Sequence, residues 1–166
     1  MRLVNIHLFF TFLGLCLLSG CKKEQELKNL TLPRLMIETR GNINWAEGFG
    51  PTLVQLPVSG TRINIQDQPL VDEFNVLNVE LVKVDMGLAL LVQVSAQGSR
   101  SLYRGSISNM GGRIVLMING NAMGARRIDG PIEDGNFFTF VEVSDEELGK
   151  LVFDIKASLT SIKQNK

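Results

Sequence analysis

The 166-residue chain predicts an α+β domain, with a mostly antiparallel sheet and two helices packed on one face, behind an N-terminal leader. Short apolar runs separated by glycine-containing turns fill most of the chain, as is typical of antiparallel strands. Two longer segments carry apolar residues at helical spacing instead. The order of these elements favours α+β over a regular alternation of strands and helices.

Composition and charge limit the classes of function. Hydrophobic residues make up 45% and charged residues 20% of the chain, as in a globular protein. The 17 Lys and Arg residues balance 17 Asp and Glu residues, so no net field attracts nucleic acid and we expect no nucleic-acid partner. The length allows one domain with its own core after the leader.

Residues 1–20 have the layout of a secretory signal peptide, with basic Arg2 followed by a long apolar run. The run is interrupted by polar residues and ends at small ones, which favours cleavage over a transmembrane anchor. Its end, Leu18-Ser19-Gly20-Cys21, resembles the bacterial lipobox, in which signal peptidase cuts before a cysteine that becomes acylated. We therefore predict a lipid on Cys21.

Acylation of Cys21 implies a membrane-anchored chain with a lipidated tether over 21–30 and a single globular domain over 31–166. The predicted location is the cell envelope, with the domain facing the periplasm. In Gram-negative lipoproteins, which this N-terminus resembles, an Asp directly after the acylated cysteine typically retains the protein at the inner membrane. This chain has Lys22 at that position instead. The outer membrane is therefore favoured over the inner.

Cleavage of the leader also removes residues that catalysis would use. His7 is the single histidine and is lost with Cys16, so the mature chain retains one cysteine, which is acylated. Histidine-based triads, Cys–His pairs and ordinary zinc sites are excluded, and we expect no metal and no cofactor. The prediction is a non-enzymatic protein, with a hydrolase that uses carboxylates alone left open.

The predicted strands of the first half are 35–39, 52–58, 61–66, 76–84 and 88–94. Ser59-Gly60 joins the second and third of these strands in a hairpin, and Pro57 indicates an edge position. The fifth strand is almost wholly apolar, which predicts that both of its faces are covered.

The second half begins with a predicted helix over 99–110, whose residues at helical spacing are Leu102, Tyr103, Ser106, Ile107 and Met110. Strands are predicted over 113–118, 121–128 and 136–143, and Asn119-Gly120 is a strong hairpin signal. Alternation in the last strand predicts that Phe138 and Phe140 face the core and that Phe137 faces away.

The last predicted helix is opened by a capping box formed by Ser144 and Glu147. Its apolar stripe consists of Leu148, Leu151, Val152, Ile155, Leu159 and Ile162. The neighbouring acids Asp145, Glu146 and Glu147 are candidates for paired catalytic carboxylates. First-turn acids stabilised by the helix dipole are the favoured interpretation.

Two segments, "VSAQGSRSLYRGSISNMGGRIVLMINGNAMGARRIDGPI" and "FTFVEVSDEELGKLVFDIKASL", resemble the periplasmic head of SecD, a membrane subunit of the bacterial protein-export apparatus. The resemblance implies a β-α-β-β-β-α fold over about 88–162. Its matching motifs are Asn119-Gly120-Asn121 at the hairpin, Pro131-Ile132 after it, and residues 144–147 at the final helix. Gly124-Ala125-Arg126 departs from the small-residue-proline bend that is usual there, and no transmembrane segments follow.

Two residue pairs are candidate binding sites. Trp45 and Phe49 lie in a glycine-rich loop, where large aromatics form either a partner surface or a cap on the open end of the sheet. Arg126 and Arg127 are candidates for an anion or peptide-carboxylate site. Adjacent strand residues point to opposite faces, however, which favours a solvated strand edge.

These observations together predict a lipid-anchored envelope lipoprotein whose domain binds another protein, as an accessory to protein export or envelope assembly. The alternative prediction is an envelope module that binds a small molecule or peptide through the Trp45 loop and the edge formed by Arg126 and Arg127.

Overall fold

The structure, a computed structural model, describes residues 30–39 and 52–164. The chain divides into two units, Met1–Leu30 and Thr31–Lys166, and every element below belongs to the second. The bounds of the strands and helices, in chain order, are β1 (Pro33–Ile37), β2 (Thr52–Gln55), β3 (Arg62–Ile65), β4 (Val76–Val84), β5 (Gly87–Val94), α1 (Ala96–Ser108), β6 (Arg113–Ile118), β7 (Asn121–Arg127), β8 (Asn136–Thr139) and α2 (Asp145–Gln164).

The α+β prediction is confirmed, and every strand pair is antiparallel. The strands form three sheets in the described ranges, with the orders β1-β6-β7, β2-β3 and β4-β5-β8, where a single sheet was expected. Both helices contribute to the main core cluster beside the β4-β5-β8 sheet. None of the helices in these ranges is long and apolar enough to cross a membrane.

The β1-β6-β7 sheet is apolar on both faces, which explains the unbroken apolar run of β6. Leu35 pairs with Leu116 and Ile37 with Ile114, and these four side chains face the main core. The intervening residues face a second, smaller cluster under the β2-β3 hairpin, formed by Met36, Leu56, Ile63, Ile65, Val115, Met117 and Ala122. The hairpin therefore covers the face that the helices leave open.

The prediction for the phenylalanines of β8 is wrong in its direction. Phe137 is fully buried in the main core, whereas Phe138 is half-buried and Phe140 is exposed. Pairing sets this orientation, because Phe137 lies opposite Val92, whose side chain is in the core. Strand β8 also ends at Thr139, so Phe140 lies beyond the alternation that the longer predicted strand implied.

Local signals define both helix starts and the central hairpin. Helix α1 begins three residues earlier than predicted because Ser95 caps it, with its hydroxyl accepting the Gly98 N–H at 3.1 Å. The capping box of α2 is confirmed: the Ser144 hydroxyl accepts the Glu147 N–H at 3.3 Å, and the Glu147 carboxylate accepts the Ser144 N–H at 3.1 Å. The Asn119-Gly120 hairpin is also confirmed, and both residues have positive φ, as a type I′ turn requires.

Candidate functional site

Three predicted site residues, Cys21, Trp45 and Phe49, lie outside the described residues. The lipid attachment site and the aromatic loop therefore stay predictions.

Arg126 and Arg127 are both exposed near the end of β7, and each has a different partner. The Arg126 guanidinium donates to the carbonyl oxygen of Phe138 at 3.4 Å. The Arg127 guanidinium lies 3.3 Å from the carboxylate of Asp129, in an ion pair that is open to solvent. Such an exposed pair contributes little energy, so these contacts describe two solvated arginines with different neighbours.

The acids at the start of α2 lie in its first turn, where Glu147 caps the N-terminus of the helix. Hydrogen bonds from the Ser144 hydroxyl and backbone N–H hold the pKa of the Glu147 carboxyl below its ordinary value. Its carboxylate is thus occupied by the capping box. In the described ranges, no group of three or more His, Cys, Asp or Glu side chains is placed to hold a metal ion.

A groove opens on the second face of the β1-β6-β7 sheet, beside the hairpin that covers the rest of that face. Its volume is 240 Å³, and its lining residues are Leu32, Arg34, Met36, Ile65, Met117, Asn119 and Gly120. Alternation along β1 and β6 points Met36 and Met117 to this face, and β3 contributes Ile65 from the hairpin side. The wall is therefore mostly apolar and includes two methionines, whose unbranched side chains adapt to varied shapes.

The rim of the groove is polar and held in place. The Arg34 guanidinium donates to both carboxylate oxygens of Glu73, at 2.6 and 2.7 Å, and this contact is the main cause of the lowered pKa of Glu73. At the other end, the Asn119 side-chain oxygen accepts the Leu32 N–H at 2.9 Å. Because Glu73 balances the charge of Arg34, the rim supplies hydrogen-bonding groups without a net charge.

The hairpin beside the groove is fixed by an acid that lies 83 residues after Ser59 in the chain. The Glu142 carboxylate accepts the backbone N–H groups of Val58 and Ser59, both at 2.8 Å. Burial raises the pKa of Glu142, but these hydrogen bonds outweigh burial and leave its pKa below the ordinary value. The contact therefore ties the β2-β3 turn to the chain just after β8.

Sequence reasoning did not identify the groove. The available signal was the lack of polar–apolar alternation in "RLMI" and "RIVLMI", which indicates strands that are covered on both faces. Only the pairing of β1 with β6, whose residues lie some 80 positions apart, places Met36 and Met117 together. The sequence alone does not define that pairing.

Comparison with solved structures identifies proteins of similar fold. No protein-family profile and no curated protein sequence matches the chain. Among the solved structures that match, two have a TM-score of 0.56 and 14% identity over 82% of this chain. One is described as SecDF in a super-membrane-facing form, and the other as SecDF, a membrane component that enhances protein export.

The matched region is a small part of the larger relative. This chain spans 20% of the first matched SecDF chain and 68% of the second. At 14% identity the likeness concerns the fold. The predicted resemblance to the periplasmic domain of SecD is thus confirmed, and the chain has a SecD-head-like α+β fold.

Proposed function

We propose that this protein is a lipid-anchored, non-enzymatic accessory domain of the bacterial cell envelope that binds another protein during export or envelope assembly. The observation that carries the proposal is the SecDF-like fold over 82% of the chain, since one matched SecDF structure is described as enhancing protein export. A shared fold does not fix a shared activity, so the remaining support comes from the residues of this chain.

The lipobox-like motif ending at Cys21 supports anchoring, with the domain facing the periplasm and the outer membrane favoured. The loss of His7 and Cys16 with the leader supports a binding role, because it removes the commonest nucleophile–base pairs. An anchored domain without such residues acts by holding a partner near the membrane.

The groove is the contact surface we assign to the protein partner. Its apolar wall of Leu32, Met36, Ile65 and Met117 suits apolar side chains of a short, extended polypeptide segment. The rim groups of Arg34 and Asn119 are placed to meet the polar backbone of such a segment. Methionine-lined surfaces accept varied sequences, which an accessory protein in export requires.

Crosslinking in intact cells tests this function. A photo-crosslinking amino acid replaces Leu32, which is half-buried on the groove wall, and in a matched strain it replaces Thr160, which is exposed on α2. Capture of a defined envelope or translocon protein at position 32, and not at 160, is expected. Its loss in a Cys21→Ala strain would show that the anchor is required. Equal capture at both positions, or none at position 32, would overturn the assignment.

The alternative, a module for a small molecule or peptide, is favoured by one observation. The groove is partly enclosed and combines an apolar wall with polar rim groups, as small-ligand sites do. The single tryptophan, Trp45, provides a fluorescence signal for a screen of peptides and small anions. A saturable change that Met117→Glu abolishes would support this alternative, and a flat response would count against it.

A further inference from the structure

Helix α1 turns an apolar and cationic face to solvent. Of the five residues predicted at helical spacing over 99–110, only Leu102 and Ser106 are buried, and the helix itself ends at Ser108. Tyr103, Ile107 and Met110 are 41%, 46% and 46% exposed, and the arginines at 100 and 104 lie on the same side. We call these five residues the α1 outer face; four of them lie in α1, and Met110 follows two residues after its end.

In the part of the chain that the structure describes, no acid forms an ion pair with the two arginines of the α1 outer face. No Asp or Glu occurs over 86–128, although this stretch contains five arginines and the whole chain is neutral. Within the described residues, neither Arg100 nor Arg104 forms an ion pair, and the Arg104 guanidinium reaches only the Arg100 carbonyl oxygen at 3.4 Å. Both charges are therefore available to an anionic partner.

Packing on the opposite side of α1 prevents this face from turning inward. A Cβ atom at Gly105 would lie 2.4 Å from a methyl carbon of Leu70, so the helix fits closely over that side chain. The Ser106 hydroxyl accepts the Ile132 N–H at 3.0 Å. The small residues thus face the domain, and the large apolar ones are held in solvent.

We propose that the α1 outer face rests on the surface of an anionic phospholipid membrane. A helix with basic and apolar side chains on one face binds the headgroup region through charge attraction and shallow apolar burial. This inference rests on the proposed lipid anchor on Cys21, which would hold the domain at the membrane and so raise the local concentration of lipid around it. At such a high local concentration even a weak contact is populated.

Charge complementarity favours anionic lipid as the occupant. Exposed tyrosine, isoleucine and methionine side chains beside two arginines suit a membrane interface, where apolar groups enter the boundary region and cationic groups meet the anionic headgroups. In its first turn, helix α1 contacts the backbone of Glu133, whose carbonyl oxygen accepts a hydrogen bond from the Ser99 hydroxyl at 3.1 Å. Ser99 is not one of the five residues of the α1 outer face.

The test uses the full-length, lipidated protein reconstituted in vesicles. A fluorophore sensitive to polarity is attached at Ser108→Cys, one residue after Ile107, or at Met86→Cys as a control. Met86 is 82% exposed and lies at the far end of β5 from α1. Vesicles contain phosphatidylcholine alone or phosphatidylcholine with phosphatidylglycerol. We expect a blue shift at position 108 in the anionic vesicles only, and no shift at position 86.

Charge-matched variants test whether α1 is responsible. Arg100→Gln with Arg104→Gln should lower the ratio of docked to undocked protein about 30-fold, because each basic side chain near an anionic surface contributes about fivefold. Arg62→Gln with Lys83→Gln removes the same charge from other exposed positions and should leave the ratio unchanged. Equal effects of the two double variants, or an equal response in both vesicle types, would overturn the proposal.

Flotation separates a failure of the anchor from a failure of α1. Protein that floats with phosphatidylcholine vesicles is anchored through its lipid, and its mass shows whether Cys21 is acylated. If the protein does not float with phosphatidylcholine vesicles, the anchor proposal fails. Even then, flotation with vesicles that contain phosphatidylglycerol would support the membrane contact of the α1 outer face, provided that it depends on Arg100 and Arg104. Anchored protein whose label at 108 never responds would overturn the membrane contact alone.

Discussion

Gly124 in β7 lies against the backbone of Phe140, just after β8, so closely that a Cβ atom at position 124 would be 2.1 Å from the Phe140 carbonyl oxygen. Close by, the Glu142 N–H donates to the carbonyl oxygen of Met123, the residue before Gly124, at 2.8 Å. The two larger sheets therefore meet backbone to backbone at this point, and only glycine leaves room for the contact.

Replacing Gly124 with alanine should destabilise the domain by about 1–3 kcal/mol, the usual cost of forcing extra volume into a packed site. Gly149→Ala is the matched control, because a Cβ atom there meets nothing within 4 Å. Since Gly149 lies inside α2, alanine should stabilise the domain by about 1 kcal/mol. Urea unfolding measures both changes, and a Gly124→Ala variant as stable as wild type would contradict the close sheet junction.

The Arg34–Glu73 ion pair should respond unequally to loss of its two members. The Glu73 side chain is 9% exposed and that of Arg34 is 50% exposed, so removing Arg34 leaves a buried carboxylate without its partner. Arg34→Ala should cost about 2–3 kcal/mol. Glu73→Gln should cost less, because the freed guanidinium is solvated. Equal losses in chemical denaturation would show that Glu73 is better hydrated than its burial indicates.

The contact of Glu142 with the hairpin turn predicts a specific pH dependence. The folded pKa of Glu142 lies below its ordinary value of 4.5, so its carboxylate stabilises the fold above that pH. This contribution is lost as the pH falls through the lower, folded pKa. The difference in unfolding free energy between wild type and Glu142→Ala should therefore be constant from pH 7 to about 5 and shrink below pH 4.

Glu133→Ala is the control for this pH series, because the Glu133 side chain is exposed and has none of the described hydrogen bonds. Its unfolding free energy should follow that of wild type across the range. A Glu142→Ala difference that stays the same down to pH 3 would mean that the turn does not depend on the charged carboxylate.

Features that depend on neighbouring residues were predictable from the sequence. The Asn119-Gly120 turn needs two residues that tolerate positive φ, and the α2 capping box needs Ser144 and Glu147 three positions apart. Both appear in the structure as expected. The SecD-like order of elements over 88–162 follows from such local signals in series, which explains why the resemblance was visible despite 14% identity.

Features that depend on distant pairing were not predictable. Helical spacing places Tyr103, Ile107 and Met110 on one face, but which face is covered depends on the segment around Leu70, more than 30 residues earlier. Leu70 packs closely against Gly105, because a residue without a side chain lets the helix approach, and Ile132 contacts the neighbouring Ser106. The groove likewise exists only because β1 pairs with β6. Its residues appear in the sequence as ordinary strand residues.

Substitutions along α2 should separate its buried and exposed faces. Ile155 is fully buried in the main core, whereas Phe153, two residues earlier, is 72% exposed. Ile155→Ala should cost about 2–5 kcal/mol, because it removes buried methyl groups and leaves a cavity. Phe153→Ala should change stability by less than about 0.5 kcal/mol, as surface substitutions do. Thermal unfolding of both variants checks the helix register, because a rotation of α2 by one residue would bring the two losses closer together.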